Sequence, residues 1–152
     1  MSSSSSSSSS HLSSGYFSQP CELRHAIRQG TFKGQTSGQC AGYAQANLCI
    51  LPRDIAFDFL LFATRNPKSC PLLAVLEAGE YNLTGTDIDI TTDIPLYRVY
   101  IDGELQKETE SIKDIWKDDF VTFVIGCSFS FEESLISAGV SIRHIEEVGH
   151  TR

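Results

Sequence analysis

Cys127, Ser128, Ser130 and Glu132 stand within six consecutive positions and offer a thiol, two hydroxyls and a carboxylate. Brought to one place, such groups can carry protons and donate hydrogen bonds to a developing negative charge. The run before them, Phe120-Val121-Thr122-Phe123-Val124-Ile125, is mostly β-branched or aromatic and reads as a buried strand, and Gly126 permits a sharp turn. Ser130 followed three residues later by Glu133 matches a capping box, which predicts that a helix starts there. A strand would thus deliver these side chains to a helix N-terminus. The unpaired N–H groups and the positive end of the dipole favour an anion there and make a nearby thiol more acidic. The residues also have a structural reading, with Cys127 as a small buried hydrophobe and Ser130 with Glu133 as nothing more than a cap. The G-x-S-x-G nucleophile elbow is not matched, because position 130 is Ser.

Other elements must hold this segment in place. Ser18 as a cap, Pro20, then Leu23, Ala26 and Ile27 at helical spacing predict a first helix stopped by Gly30. Positions 31–42 carry Gly34, Gly38 and Gly42 among small polar residues and read as a loop; their spacing matches neither G-x-G-x-x-G nor the Walker pattern, so turn glycines are preferred to a phosphate cradle. Leu48 to Leu51 reads as a short strand ended by Pro52. Asp54 then caps a second helix, Ile55 to Arg65, stopped by Asn66-Pro67 and so apolar that it must pack on several faces. Leu72 to Leu76 is another short apolar run. Leu96 to Ile101, the turn pair Asp102-Gly103 and Glu104 to Thr109 predict a β-hairpin. A short helix from Ser111 through Trp116, the strand at Phe120, a helix from Phe131 to Ala138 and a last strand, Val140 to Ile145, complete the reading. Strand, helix and strand in that order imply a crossover and a partly parallel sheet. The fold class expected is therefore α/β, with a mixed, partly parallel sheet, flanking helices and a β-hairpin at about 94–110.

Composition narrows the function. The chain has 152 residues and a net charge of −7, and twelve of its acids lie between Glu77 and Asp119 against only Arg98, Lys107, Lys113 and Lys117. No basic face is offered to nucleic acid or anionic lipid. No apolar run approaches the ~18 residues of a membrane span. Five cysteines, at 21, 40, 49, 70 and 127, are odd in number and contain no C-x-x-C, which favours a reducing, intracellular compartment. The serine tract Ser2 to Ser10 has nothing to bury, so residues 1–15 are expected to be a disordered head and 16–152 the folded unit. The stretch before Glu22 partly fits a mitochondrial transit peptide but holds no Arg before Arg24, so cytoplasm and mitochondrial matrix both stay open. Asp87-x-Asp89 begins like a calcium loop and then fails, with Thr91, Thr92 and Arg98 where ligands and Gly are required; no metal site is read.

Six blocks occur in order between about residues 18 and 146: Thr36-Ser37-Gly38, Gly42-Tyr43-Ala44-Gln45-Ala46-Asn47-Leu48, Asp58-Phe59-Leu60, Arg65-Asn66-Pro67-Lys68-Ser69-Cys70-Pro71-Leu72, Asp93-Ile94-Pro95-Leu96-Tyr97-Arg98-Val99-Tyr100 and Gly126-Cys127-Ser128-Phe129-Ser130-Phe131-Glu132. As a set they resemble the D-glutamate cyclase and hydro-lyase family. The resemblance implies a two-part α/β protein, of which this chain looks like the N-terminal portion, an incomplete family fold. It also implies a lyase that converts D-glutamate to 5-oxo-D-proline and water, with mitochondrial members in animals. That reaction needs a base, an acid, oxyanion donors and a cation for the spectator carboxylate, and no redox cofactor. The roles expected are N–H donors around Cys127, Ser128 and Ser130, Glu132 as proton carrier, Arg98 or Arg143 as carboxylate clamp, and Gln45 and Asn47 as orienting amides. The partner expected is a small acid such as D-glutamate, with a homo-oligomer left open. A non-catalytic amino-acid or dicarboxylate binding protein, or an inactive fragment, are the competing readings.

Overall fold

The computed structural model describes residues 15–143. Its first helix, α1 (Pro20–Arg28), begins with Pro at its first position, where the missing N–H costs nothing, and ends before Gly30 at φ +67°. The preceding residue is Gln19 and no side chain caps the helix, so Ser18 does not serve as expected. Leu23, Ala26 and Ile27 point from α1 into a small core with Phe32 and Cys40, and Phe17 packs edge-on against Phe32 at 5.8 Å between ring centres. The glycine loop therefore closes over α1 from the far side.

Strand β1 (Ala46–Pro52) leads directly into α2 (Arg53–Arg65), which starts one residue before the expected cap, Asp54, and ends at Asn66. Asn66 closes the helix with its own side chain, donating from Nδ2 to the carbonyl of Phe62 at 2.8 Å. Strand β2 (Leu72–Leu76) follows. The hairpin forms as read: β3 (Tyr97–Ile101) and β4 (Glu104–Thr109) pair antiparallel around Asp102 and Gly103, both at positive φ. One 3-10 turn, Lys113–Ile115, precedes β5 (Phe120–Gly126), and α3 (Phe129–Ser137) comes last.

The sheet order is β1-β5-β2, and both ladders are antiparallel, with Cys49 and Val75 opposite Phe123. The fold is mixed α/β as expected, but the parallel ladder is not formed among the described residues. β1 and β2 do run in the same direction, joined by α2 as a crossover, and β5 inserts between them from the opposite direction. The sequence reading placed the crossover at α3 instead. Residues 140–142 after α3 are coil and Arg143 is helical, so the expected last strand is not formed there; its positions 144 and 145 lie outside the described residues, as does most of the serine-rich head.

α2 lies on the face of the sheet that carries Phe123. Ala56 and Ala63 are buried beneath it, and Phe59 meets the Phe123 ring at 4.8 Å between centres. Packing on several faces does not occur, since Ile55, Phe57 and Phe62 remain exposed. Beneath the hairpin, Tyr97 is buried, donates its hydroxyl to the Ile90 carbonyl at 2.9 Å, and has its phenol pushed up by burial. Asp93, fully buried, binds α1 to this region: Arg28 grips it through Nε and Nη2, and the Asp89 N–H donates to it at 2.9 Å. That bond to Asp93 is the main cause holding the Arg28 guanidinium above its ordinary value.

Candidate functional site

Gly126 ends β5 with its N–H donated to the Pro71 carbonyl at 2.9 Å, and only Cys127 and Ser128 separate it from α3. The strand thus feeds a helix N-terminus, as the sequence implied. The capping box is not what starts the helix. Ser128 occupies the cap position without a capping side-chain bond, and Ser130 lies one residue inside α3. Its hydroxyl is used across the chain instead, accepting the Gln45 N–H at 2.9 Å and donating to the Gln45 carbonyl at 3.2 Å. The same carbonyl accepts the Cys127 N–H at 3.3 Å. Gln45 is therefore clamped to the first turn of α3 from two sides.

The glycine loop folds over this junction. Thr36 donates its hydroxyl to Gln45 Oε1 at 2.8 Å, and Gln45 Nε2 donates to the Gln39 carbonyl at 3.2 Å. Ser37 donates its hydroxyl to Glu132 Oε2 at 2.8 Å, and Glu132 is buried. Between loop and helix is a cavity of about 150 Å³, bounded by Gly38, Cys40, Tyr43, Gln45, Ser130 and Glu132, among others. The loop reaches this shape through Gly38 and Gly42 at φ +74° and +82°, and through Cys40, a non-glycine residue at φ +51°. The glycines are therefore turn glycines, as read, but they shape a wall of the site. Burial pushes the Cys40 thiol up against the opposing pull of Arg24.

Of the residues singled out from sequence, Gln45, Ser130 and Glu132 line the cavity together, and Cys127 and Ser128 lie beside it at the entry to α3. Asn47 is exposed on β1, opposite Ile125. Arg98 is elsewhere, on the β3–β4 hairpin, where its Nε binds Glu108 Oε1 at 2.8 Å across the strands. Arg143 is exposed beyond α3 and is not among the residues lining the cavity. Thr36, Ser37 and Tyr43 were missed as site residues, although Thr36-Ser37 and Tyr43 stand in the blocks that carried the family resemblance. A second hollow of about 420 Å³ is larger but more open, lying between Arg53, Leu76, Glu77 and Val121.

The fold and this pocket define an α/β protein with a buried carboxylate, hydroxyls and an amide converging where a glycine loop meets a helix N-terminus. Comparison places that class more closely. Residues 121–151, which include β5 and α3, match the model of the family described as D-glutamate cyclase. A protein named "Putative hydro-lyase" from Clostridium beijerinckii is 58% identical over 130 residues, covering 84% of this chain and 50% of the relative. Proteins of the same name from Paraburkholderia phymatum and Burkholderia ambifaria are 55% and 54% identical over 130 residues, each covering 84% of this chain and 51% of the relative. Over the stretch it covers, the chain is similar to proteins of the D-glutamate cyclase and hydro-lyase family. It spans about half the length of the curated relatives it matches.

Proposed function

We propose that the loop–α3 cavity is part of the active site of a hydro-lyase that closes D-glutamate to 5-oxo-D-proline with release of water. In that reaction the α-amine, once deprotonated, forms a bond to the γ-carboxyl carbon, and one γ-oxygen leaves as water. Two protons leave nitrogen and two reach the departing oxygen. The observation that carries the reading is Glu132, a carboxylate buried at the cavity wall and oriented by the Ser37 hydroxyl. A side chain so held can take a proton from the amine and return one to the leaving oxygen. The first turn of α3 supplies backbone N–H groups and a positive dipole end toward the developing oxyanion. Gln45, held by Thr36, Gln39 and Ser130, orients the substrate through its amide. Ser130 acts here as a positioning residue, since both of its bonds go to the Gln45 backbone.

No cation lines the cavity among the described residues, and about 150 Å³ is below the roughly 300–1,000 Å³ of ordinary ligand pockets. Both facts support a site that the length found in the relatives, and lacking here, completes. The test is formation of 5-oxo-D-proline from D-glutamate, with L-glutamate as control, by the 152-residue chain and by the chain extended with the remaining half of the Clostridium beijerinckii protein. Turnover is expected only from the extended form, and Glu132→Gln in it should lower kcat by on the order of 10²-fold or more. Full activity of the Glu132→Gln protein would refute the role of Glu132. Binding of D-glutamate by the extended protein without turnover would favour a non-catalytic binding protein.

A further inference from the structure

Helix α2 has the sequence of a helix enclosed on three sides, yet this chain encloses one. At about 100° per residue, Ala56, Phe59 and Ala63 make the stripe that faces the sheet. Ile55 and Phe62, seven residues apart, share one flank, and Phe57 lies on the other; they are 48%, 54% and 69% exposed. The back, with Asp54, Asp58 and Arg65, is polar, and Arg53 and Thr64 lie beside Phe57 on its flank. Beside the helix, edge strand β2 carries Val75 directly opposite Phe123 and hence on the same side of the sheet as α2, and Val75 is exposed as well. Four large apolar side chains exposed on one helix and the adjacent strand mark an interaction surface rather than ordinary scatter.

We propose that this surface, the two flanks of α2 with Val75 of β2, is the face on which the half of the family protein lacking here docks. The relatives are about twice the matched length, so each carries a further half of comparable size. A helix in a two-layer α/β fold buries its flanks against neighbouring helices, which the described residues do not provide. A second copy of this chain is a poorer occupant, because two bodies of net charge −7 repel one another. The inference stands on packing alone and is independent of the substrate proposed above.

The experiment co-expresses the 152-residue chain with the affinity-tagged remaining half of the Clostridium beijerinckii protein. A stoichiometric complex is expected. Phe57→Asp and Phe62→Asp, at positions already exposed, should weaken it by about tenfold or more each, while Asp58→Lys on the polar back leaves it intact. Should the separate half not fold, a fusion of the two gives an independent readout. Alkylation of Phe57→Cys, followed by peptide mass spectrometry, should be at least about tenfold slower in the fusion than in the chain alone. Equal alkylation in both forms would overturn the proposal. So would a homodimer that Phe57→Asp disperses while the other half fails to bind, which would make a second copy the occupant.

Discussion

Removing the Ser130 hydroxyl should loosen the cavity without unfolding the protein. Ser130→Ala deletes two hydrogen bonds to the Gln45 backbone, at 2.9 and 3.2 Å. The Gln45 carbonyl keeps the Cys127 N–H at 3.3 Å, so the principal loss is the partner of the Gln45 N–H. An orphaned, part-buried donor costs about 1–3 kcal/mol, and since Gln45 is only half-buried the lower half of that range applies, about 1.5 kcal/mol. The cost falls on one junction, where residues 36–45 meet α3, because the remaining loop contacts, Thr36 to Gln45 and Ser37 to Glu132, do not involve Ser130. Local opening should therefore become roughly tenfold more frequent while global stability changes less. Native-state hydrogen exchange reads this directly. Amides of peptides covering 36–45 should exchange about tenfold faster in Ser130→Ala, with those of β5 and the hairpin unchanged. Equal exchange in the loop would show that Ser130 does not pin Gln45, and with it would fall the positioning role assigned above.

Three further outcomes follow from the packing. Arg28→Ala leaves Asp93 buried with only neutral partners; because the Arg28 side chain is itself 35% exposed, the loss expected is about 2–3 kcal/mol rather than the larger figure for a fully buried pair, and Arg28→Lys, lacking the two-pronged grip, should fall between; a urea midpoint unchanged by Arg28→Ala would refute the pairing. Thr122 is fully buried and its hydroxyl finds no partner among the described residues, so Thr122→Val should stabilise by about 1 kcal/mol, raising Tm by a few degrees, whereas a lower Tm would reveal a bonded hydroxyl. For Asp89, burial alone would raise the carboxyl, but the Thr91 hydroxyl and N–H and the Lys113 charge outweigh it and hold it below its ordinary value; Asp87 is lowered chiefly by Arg24. A lowered folded value contributes stability that is present above the unfolded pKa and lost on acidification, so the urea midpoint should fall as pH drops below about 4, and less steeply in Asp89→Asn; parallel profiles would remove Asp89 from the account.

Local chemistry carried much of the fold in readable form. The hairpin was legible because Asp102-Gly103 accepts the positive φ that a two-residue turn demands, and that requirement is met by the two residues themselves. α1 and α2 were legible from Pro at a first turn and Asn66-Pro67 at a last one. Gln45, Ser130 and Glu132 were named in advance and do share a cavity. Arg98 was named and does not, because its strand finds Glu108 across the hairpin. Ser130 was read as a cap because its spacing to Glu133 is right, but a hydroxyl serves whichever backbone group lies nearest, and here that belongs to Gln45, 85 residues away in sequence.

The amino-acid sequence by itself determined where most of the strands and helices form, where the turns fall and which family the blocks resemble, since these depend on residues within a few positions of one another. The tertiary structure alone decided that β5 enters between β1 and β2 with antiparallel ladders, because pairing sense depends on which distant apolar strands meet, and an apolar run carries no mark of its partner. It alone brought Ser37 to Glu132, 95 residues apart, through a loop bent by Gly38, Cys40 and Gly42. It alone showed α2 covered on one side only, for periodicity records how much of a helix is apolar and not what this chain has available to cover it.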